Sequence, residues 1–270
     1  MSSILTLIKE QILNLQLIFR IGLYETKSQY QMHYLGRIWQ FLNPLILIGV
    51  YWFVFGLGIR GGSPVGETPF FLWLLTGLIP WLYISPTVTQ ASNSIHSKIA
   101  MVSKMNFPVS VLPTIKMFSN SITFFILLIA TICIISIYGN FSGLYIIQLP
   151  YYLISVYVLI YAITILTSSL AVIVRDVQNI VQAIMRIMFF LLPIVWNVES
   201  SEALTEPLVT LLKLNPFYYL IEGFRHTLIG GEWFFDDITY TIYFWILTVI
   251  ILLIGSTVHL KFRNKFVDYL

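Results

Sequence analysis

The sequence predicts an all-α integral membrane protein with six transmembrane helices and both termini in the cytoplasm. Of its 270 residues, 58% are hydrophobic and only 10% are charged, a composition typical of polytopic membrane proteins. Long apolar runs recur along the chain, and its length accommodates about six spanning helices of ~20 residues. No stretch remains for a separate soluble domain of ordinary size.

Charge asymmetry predicts the orientation. Cytoplasmic segments collect most basic residues, namely Lys9, Arg20, Lys27, Arg37, Lys98, Lys104, Lys116, Arg175, Arg186, Lys261, Arg263 and Lys265. The acidic residues on that side are only Glu10, Glu25, Asp176 and Asp268. The outer segments carry Arg60, Lys213 and Arg225 against Glu67, Glu199, Glu202, Glu206, Glu222, Glu232, Asp236 and Asp237. Basic residues concentrate in the cytoplasmic loops of inserted proteins, so the termini are expected inside.

Residues 1–33 predict an amphipathic helix at the cytoplasmic interface. Apolar residues recur there at helical spacing, at Ile4, Leu5, Ile8, Ile12, Leu15 and Phe19. The intervening polar residues make the segment unsuited to span a bilayer. Such a helix lies along the membrane surface or packs on another subunit, and both can hold for one helix. The segment does not resemble a removable signal peptide.

Residues 34–265 form one predicted transmembrane domain. Its six spans are expected at about 41–58, 70–88, 111–138, 147–174, 180–196 and 238–260. Pro80 and Pro86 fall inside the second span, where neighbouring groups can satisfy the freed carbonyls. The tryptophans mostly lie near predicted span ends, as interfacial belts require, and stacking against sugars is the alternative role.

The segment 203–230 predicts a re-entrant helical hairpin between the fifth and sixth spans. Two amphipathic pieces, 203–214 and 217–229, are separated by Asn215 and Pro216. Asn215 is a good N-cap and Pro216 a good first helical residue. Each piece is too short to cross ~30 Å of hydrocarbon. An ordinary extracellular helical cap is the alternative interpretation.

Catalytic and cofactor motifs are missing from the sequence. The histidines, His33, His96, His226 and His259, lack metal-ligand spacing. No Gly-Lys-Ser/Thr phosphate loop occurs, so the chain is expected to bind no nucleotide itself and to hold no cofactor. The net charge of +3 gives no reason to expect nucleic acid. This chain alone is therefore not expected to be an enzyme.

Two arginines are candidates for contact with an anionic lipid group. Arg186 lies about two turns into the fifth predicted span, where a guanidinium is costly and usually faces a polar cavity or partner. It either binds a lipid phosphate in a bidentate manner or extends to the inner headgroups. Arg37, just before the first span, has the same two interpretations.

Four segments together resemble one family, the type-2 ABC exporter permeases for polysaccharides. The first is the entry to the first span, residues 34–44, with the sequence YLGRIWQFLNP. The second comprises Thr76–Trp81, Asn93–Ile95 and Lys104–Pro108. The third is Arg175-Asp176 with Pro193–Trp196, and the fourth comprises Asn215–Tyr219, Glu222-Gly223 and Arg225. The match covers nearly the whole chain in the right order.

This resemblance implies a function and partners. A homodimer of this permease would bind two copies of a separate ABC ATPase, which holds ATP and Mg. The complex would export a polyprenyl-pyrophosphate-linked polymer across the cytoplasmic membrane of a bacterium. Among such systems the chain is most similar to wall teichoic acid translocation permeases. O-antigen or capsule exporters, and type-2 permeases for drugs or small lipids, are the alternatives. An ion-coupled transporter or a membrane enzyme would need intramembrane acids or paired catalytic groups that the sequence does not place there.

The resemblance also assigns two functional segments. The ATPase-coupling segment would be 94–108, with the candidate residues Ser94, His96, Lys98, Lys104, Phe107 and Pro108. The N-terminal helix would form the other contact surface. Without the resemblance, 94–108 is a basic loop that obeys the orientation rule. The outer re-entrant segment would use Asn215, Pro216, Tyr218, Tyr219, Glu222 and Arg225.

Overall fold

Helices form nearly all of the regular structure in the computed structural model, which describes residues 2–29, 31, 34–102, 107–139, 141–198, 205–263 and 266. The α-helices are α1 (Ser2–Leu13), α2 (Leu15–Ser28), α3 (Trp39–Tyr51), α4 (Phe70–Ser92), α5 (Ser94–Val102), α6 (Leu112–Ile137), α7 (Leu149–Ile173), α8 (Asp176–Leu191), α9 (Glu206–Lys213), α10 (Pro216–Ile229) and α11 (Ile238–Phe262). The 3₁₀ turns Gly36–Ile38, Val109–Val111 and Gly143–Gln148 precede α3, α6 and α7. A π-helical segment, Trp52–Ile59, extends α3. The predicted all-α class is confirmed.

Within the described part of the chain, five helical segments are long and apolar enough to cross a membrane. They are Gly36–Ile59, Phe70–Ser92, Val109–Ile137, Gly143–Ile173 and Ile238–Phe262. These segments correspond to the predicted spans 41–58, 70–88, 111–138, 147–174 and 238–260, with ends that differ by a few residues. The chain is therefore a multi-pass membrane protein.

The fifth predicted span, 180–196, differs from the structure. The helix at this position, α8, begins at Asp176, ends at Leu191 and has 16 residues. Leu192 is extended, with φ −89° and ψ 153°, because a residue before proline is disfavoured in the helical region and Pro193 follows. A 16-residue helix is about 24 Å long, which is shorter than the hydrocarbon core.

Helix α4 lies at the centre of the bundle. In the most apolar 18-residue stretch of α4, 78% of the residues are buried, compared with 11% in the corresponding stretch of the first span, Gly36–Ile59. Helices α6, α7, α8 and α10 pack around α4, and Pro80 and Pro86 lie inside it without ending it. The first span instead presents an apolar surface that lipid or another protein surface must cover.

Helices α7 and α11 approach each other closely. A Cβ atom on Gly255 would lie 2.8 Å from Cγ2 of Ile165, so a larger residue there would have to displace the Ile165 side chain or α7. Beside this contact, the Ser169 hydroxyl and Nδ1 of His259 are 2.9 Å apart. A second polar contact joins α7 to α4, where the hydroxyls of Thr167 and Ser92 lie 2.7 Å apart. Small polar residues at helix contacts are a recurrent device of membrane bundles.

The N-terminal segment forms two helices instead of the single amphipathic helix that was predicted. The break is at Asn14, whose Nδ2 donates to the Glu10 carbonyl oxygen at 2.8 Å, a local bond that competes with helix continuation. Leu7 and Ile18 are buried against the bundle. Most of the predicted apolar stripe is exposed, namely Leu5, Ile8, Ile12, Leu15 and Phe19. These side chains are free to contact lipid.

Candidate functional sites at the two ends of the bundle

Helix α10 is positioned by the local signals that the sequence contains. The Asn215 side chain accepts a hydrogen bond from the Phe217 backbone N–H at 3.0 Å, and Pro216 occupies the first turn. Gly230, with φ +91°, ends the helix. The predicted cap and first helical residue are therefore confirmed. Asn215 also lies against α8, because its Nδ2 is 2.9 Å from Sδ of Met188.

Arg225 of α10 joins three parts of the bundle. The residue is 5% exposed, and its Nη2 donates to the Pro193 carbonyl oxygen, after α8, at 2.6 Å. Its Nη1 donates to the Glu222 carboxylate on the same helix. Its Cζ lies 3.8 Å from the centre of the Trp73 ring of α4. A buried guanidinium is stable when carbonyl, carboxylate and ring contacts replace water in this way.

Gly77 of α4 makes room for this guanidinium. A Cβ atom at this position would lie 2.6 Å from Nη2 of Arg225. Gly77, Pro193 and Arg225 belong to three separate segments that carry the family resemblance. The structure therefore brings those segments together at a single side chain.

An open cavity of about 480 Å³ lies beside this cluster. Its walls are formed by α9, α10, the start of α7 and the start of α11. Glu222 lines the cavity and also pairs with Arg225. Of the predicted residues, Tyr218 and Tyr219 also line it. The Tyr219 hydroxyl lies 2.7 Å from that of Tyr151 and 3.0 Å from that of Thr241. We call this region the α10 end of the bundle.

The α5 end of the bundle carries an ionic cluster around Glu25 of α2. Lys98 of α5 pairs with one Glu25 carboxylate oxygen, and Nζ of Lys116 of α6 lies 2.8 Å from the other. The Glu25 side chain is 13% exposed, so three helices share one largely buried anion. Burial, with a smaller contribution from the Lys116 charge, lowers the pKa of Lys98 to about 8.

A second ionic cluster surrounds Glu10 of α1. Arg263 at the end of α11 donates to one carboxylate oxygen at 2.7 Å, and the Ser110 hydroxyl donates to the other at 2.5 Å. The neighbouring Gln11 donates to the Ser110 carbonyl and to the Tyr161 hydroxyl at 3.0 and 3.1 Å. The N-terminal helices are thus anchored to α6, α7 and α11, and the two ends of the described chain meet at the α5 end.

The predicted coupling residues differ in burial and in the contacts they make. Ser94 is buried and its hydroxyl donates to the Ala91 carbonyl at 2.7 Å. His96 is half-buried on α5. Phe107 packs on an apolar cluster that includes Ile95, and Pro108 precedes the turn into α6. Lys104 lies outside the described residues.

The two predicted lipid-contacting arginines lie apart from both clusters. Arg186 is exposed on α8, where its Nε donates to the Gln182 carbonyl one turn earlier at 3.3 Å. Arg37 is exposed in the 3₁₀ turn before α3. Their roles remain predictions.

Sequence reasoning did not identify Glu10, Glu25, Lys116 or Arg263 as site residues. A signal was present, because acidic residues are rare on the side predicted to be cytoplasmic. Glu10 and Glu25 are two of the four acids on that side, and each is the anion at the centre of one cluster. Acidic residues on a side of the protein that is otherwise rich in Lys and Arg are candidates for ion pairs.

Comparison with known proteins defines the class. Residues 16–229 match the ABC-2 type transporter family, so the chain belongs to that family and is a membrane component of a transporter. It is 28% identical over 206 residues to the O-antigen export system permease protein RfbA of Myxococcus xanthus, with 74% of this chain and 75% of that protein covered. It is 24% identical over 247 residues to an O-antigen export system permease protein RfbA of Klebsiella pneumoniae, with coverages of 91% and 92%.

Proposed function

We propose that this chain is the permease subunit of an ATP-driven exporter that moves a polyprenyl-pyrophosphate-linked polysaccharide across the bacterial cytoplasmic membrane. Membership of the ABC-2 type transporter family supports a transport role. The O-antigen export permeases among its relatives support a polysaccharide substrate. Wall teichoic acid, which the sequence resemblance favours, and O-antigen are the two candidate polymers.

The proposed complex contains two copies of this chain and two copies of a separate ATPase that binds ATP and Mg. A charged pyrophosphate and hydrated sugars need a polar path through hydrocarbon. Helices from two copies of this chain could line such a path. The largely unburied first span, Gly36–Ile59, offers an apolar surface that a second copy can cover. The polyprenyl tail would remain in lipid.

The α5 end is the proposed ATPase surface. The single observation that carries this assignment is the Glu25 cluster, which joins α5 to α2 and α6. A push on α5 would reach the transmembrane helix α6 through Lys98, Glu25 and Lys116. The same end holds both described chain ends, through the contact of Glu10 with Arg263. This proximity and the basic bias of its residues support a cytoplasmic location with both termini inside.

The first test is ATP hydrolysis by the complex in lipid. This chain is purified alone and together with a candidate ATPase, such as one encoded beside it, and assayed with and without undecaprenyl-pyrophosphate-linked polymer. Hydrolysis is expected to require both proteins and to increase with the polymer. No stable complex, or hydrolysis that is indifferent to every lipid-linked polysaccharide, would contradict the proposal. Teichoic acid and O-antigen precursors are compared in the same assay to distinguish the two candidate polymers.

A further inference from the structure

The cavity at the α10 end has the size of a small-molecule site. Its volume of about 480 Å³ falls within the range of ligand pockets, which is roughly 300–1,000 Å³. Its walls come from α7, α9, α10 and α11, so a bound molecule would contact four helices at once. In the proposed orientation the cavity opens on the outer side of the membrane.

Aromatic rings form much of the cavity wall, and their positions are fixed. The hydroxyls of Tyr240 and Tyr243 on α11 donate to the carbonyl oxygens of Lys213 and Leu214, at the end of α9, at 2.7 and 2.8 Å. Tyr219 of α10 packs edge to face on Tyr240 with 5.1 Å between ring centres. Because these hydroxyls already have partners, the rings offer rigid apolar faces to a ligand. Rigid tyrosine surfaces give contact area at a low entropic cost.

The polar groups of the cavity favour a ligand rich in hydroxyls. Glu222, Glu232 and Asp237 supply carboxylates, which accept hydrogen bonds without donating them when ionised. The Thr239 hydroxyl can both donate and accept, and the hydroxyls of Thr210 and Thr241, which already donate to backbone carbonyls, can accept. Carboxylate and hydroxyl groups together with apolar ring faces match a sugar, which carries hydroxyls around its edge and C–H groups on its faces.

The charge balance of the cavity disfavours a polyanionic polymer. Three carboxylates line it, together with Lys213 and the imidazole of His226, whose Nε2 lies 3.9 Å from Glu222. Arg225, which also pairs with Glu222, lies behind the wall. A phosphate-rich chain would meet like charge there, which is unfavourable. A cationic ligand would suit the carboxylates and rings, but it would not use the threonine hydroxyls and would be opposed by Lys213.

We propose that this cavity binds a short neutral saccharide segment of the exported polymer on the outer side of the membrane. The inference rests on the proposed function, since it assumes that a polysaccharide passes this face. It refines that function, because a neutral polymer fits the site and a polyanionic teichoic acid backbone does not.

The test uses the complete transporter in lipid nanodiscs and defined soluble probes. Saturation-transfer NMR is recorded with maltotriose and mannotriose as neutral probes, a glycerol-phosphate trimer as the anionic probe, and tetramethylammonium as the cationic probe. At least one neutral trisaccharide is expected to bind saturably. Replacing the cavity-lining Trp233 by alanine is expected to weaken that binding about tenfold, which corresponds to ~1.4 kcal/mol. Glu232→Gln, at an exposed position of the rim, should weaken it as well.

Tyr138→Ala is the matched control, because Tyr138 is an exposed aromatic residue outside the cavity. Equal loss of binding in W233A and Y138A, no neutral probe bound, or preferential binding of the glycerol-phosphate or tetramethylammonium probe would overturn the inference. Export of lipid-linked polysaccharide by a wild-type complex that binds no trisaccharide would overturn the cavity inference alone. Trisaccharide binding that W233A weakens, in a complex that exports no polysaccharide, would instead overturn the proposed function.

Discussion

Gly77 and Arg225 are complementary in shape across the contact between α4 and α10. A single additional carbon at Gly77 would lie 2.6 Å from Nη2 of Arg225, the atom that donates to the Pro193 carbonyl. A side chain at position 77 of α4 would therefore have to displace the buried guanidinium of Arg225 on α10.

Replacement of Gly77 by alanine is expected to destabilise the protein by about 1–3 kcal/mol, the usual cost of overpacking. The methyl group would force the guanidinium away from Pro193 or separate α10 from α4. The measurement is the free energy of unfolding in mixed micelles. Gly49→Ala is the matched control, because Gly49 is also helical and a Cβ there meets no atom within 4 Å. Equal stabilities of G77A and G49A would contradict this account.

Replacement of Arg225 by lysine tests whether the planar guanidinium is needed or only its charge. Lysine cannot donate to Pro193 and Glu222 in the same forked geometry while stacking on Trp73. R225K is expected to lose about 1.5–3 kcal/mol, the range for a hydrogen bond to a charged group. Arg60→Lys is the control, since Arg60 donates to exposed loop carbonyls of Ser63 and Pro64. A loss no larger than that of R60K would show that charge alone suffices.

The local features of the α10 end could be predicted from sequence, whereas its tertiary contacts could not. Asn215, Pro216 and Gly230 act on their immediate neighbours, so the composition of a few residues predicts the start and end of α10. The contacts of Arg225 with Trp73 and Pro193 join residues far apart in sequence. No periodicity or propensity indicates such pairs.

The limits of sequence reasoning at α8 and at the α5 end have different causes. At α8 the apolar run continues past Leu191, so hydropathy extended the span, while the effect of Pro193 on Leu192 ended the helix. At the α5 end, Lys98 was identified as a coupling residue, but its anion is on another helix. Glu25 lies 73 residues away in sequence, so only folding brings the pair together.

Lys98 is expected to make stability depend on pH in the alkaline range. Its pKa is about 8 in the folded protein and ~10.4 in an unfolded chain. Between these values the unfolded state binds more protons, so stability rises with pH, by at most about 1.4 kcal/mol per unit from this group. Thermal unfolding of the wild type and of Lys98→Met is compared from pH 7.5 to 10. The wild type should gain stability relative to K98M, and parallel curves would refute the lowered pKa.

A charge exchange across the Glu25 cluster tests its part in coupling. Glu25→Lys places three positive charges together, and Lys98→Glu places two carboxylates beside Lys116. Each single variant is expected to hydrolyse ATP with reduced export, because α5 loses its link to α6. The double variant restores opposite charges at positions 25 and 98 but leaves two positive charges at 25 and 116, so export should recover in part, with a coupling energy between positions 25 and 98 of about 0.5–3 kcal/mol. Polymer exported per ATP hydrolysed is the measurement.

Glu67→Lys is the control for this exchange, since Glu67 is exposed in the connection between the first span and α4. The variant carries the same charge change outside the cluster and should export normally. Additive losses in the double variant would mean that Glu25 and Lys98 act independently. The proposed path of motion through their contact would then be wrong.

Replacement of Arg186 tests whether its side chain contacts the substrate, because removing this side chain should cost little stability. The side chain is exposed, and the hydrogen bond found for it among the described residues is to Gln182 on its own helix. Arg186→Ala is therefore expected to change folded yield little, since exposed substitutions usually fall within about 0.5 kcal/mol. If the guanidinium binds the lipid pyrophosphate, R186A should raise the polymer concentration needed to stimulate ATP hydrolysis. Arg60→Ala removes a half-buried arginine just after the first span and should leave that concentration unchanged. An equal fall in yield and in stimulation for R186A would assign Arg186 a structural role.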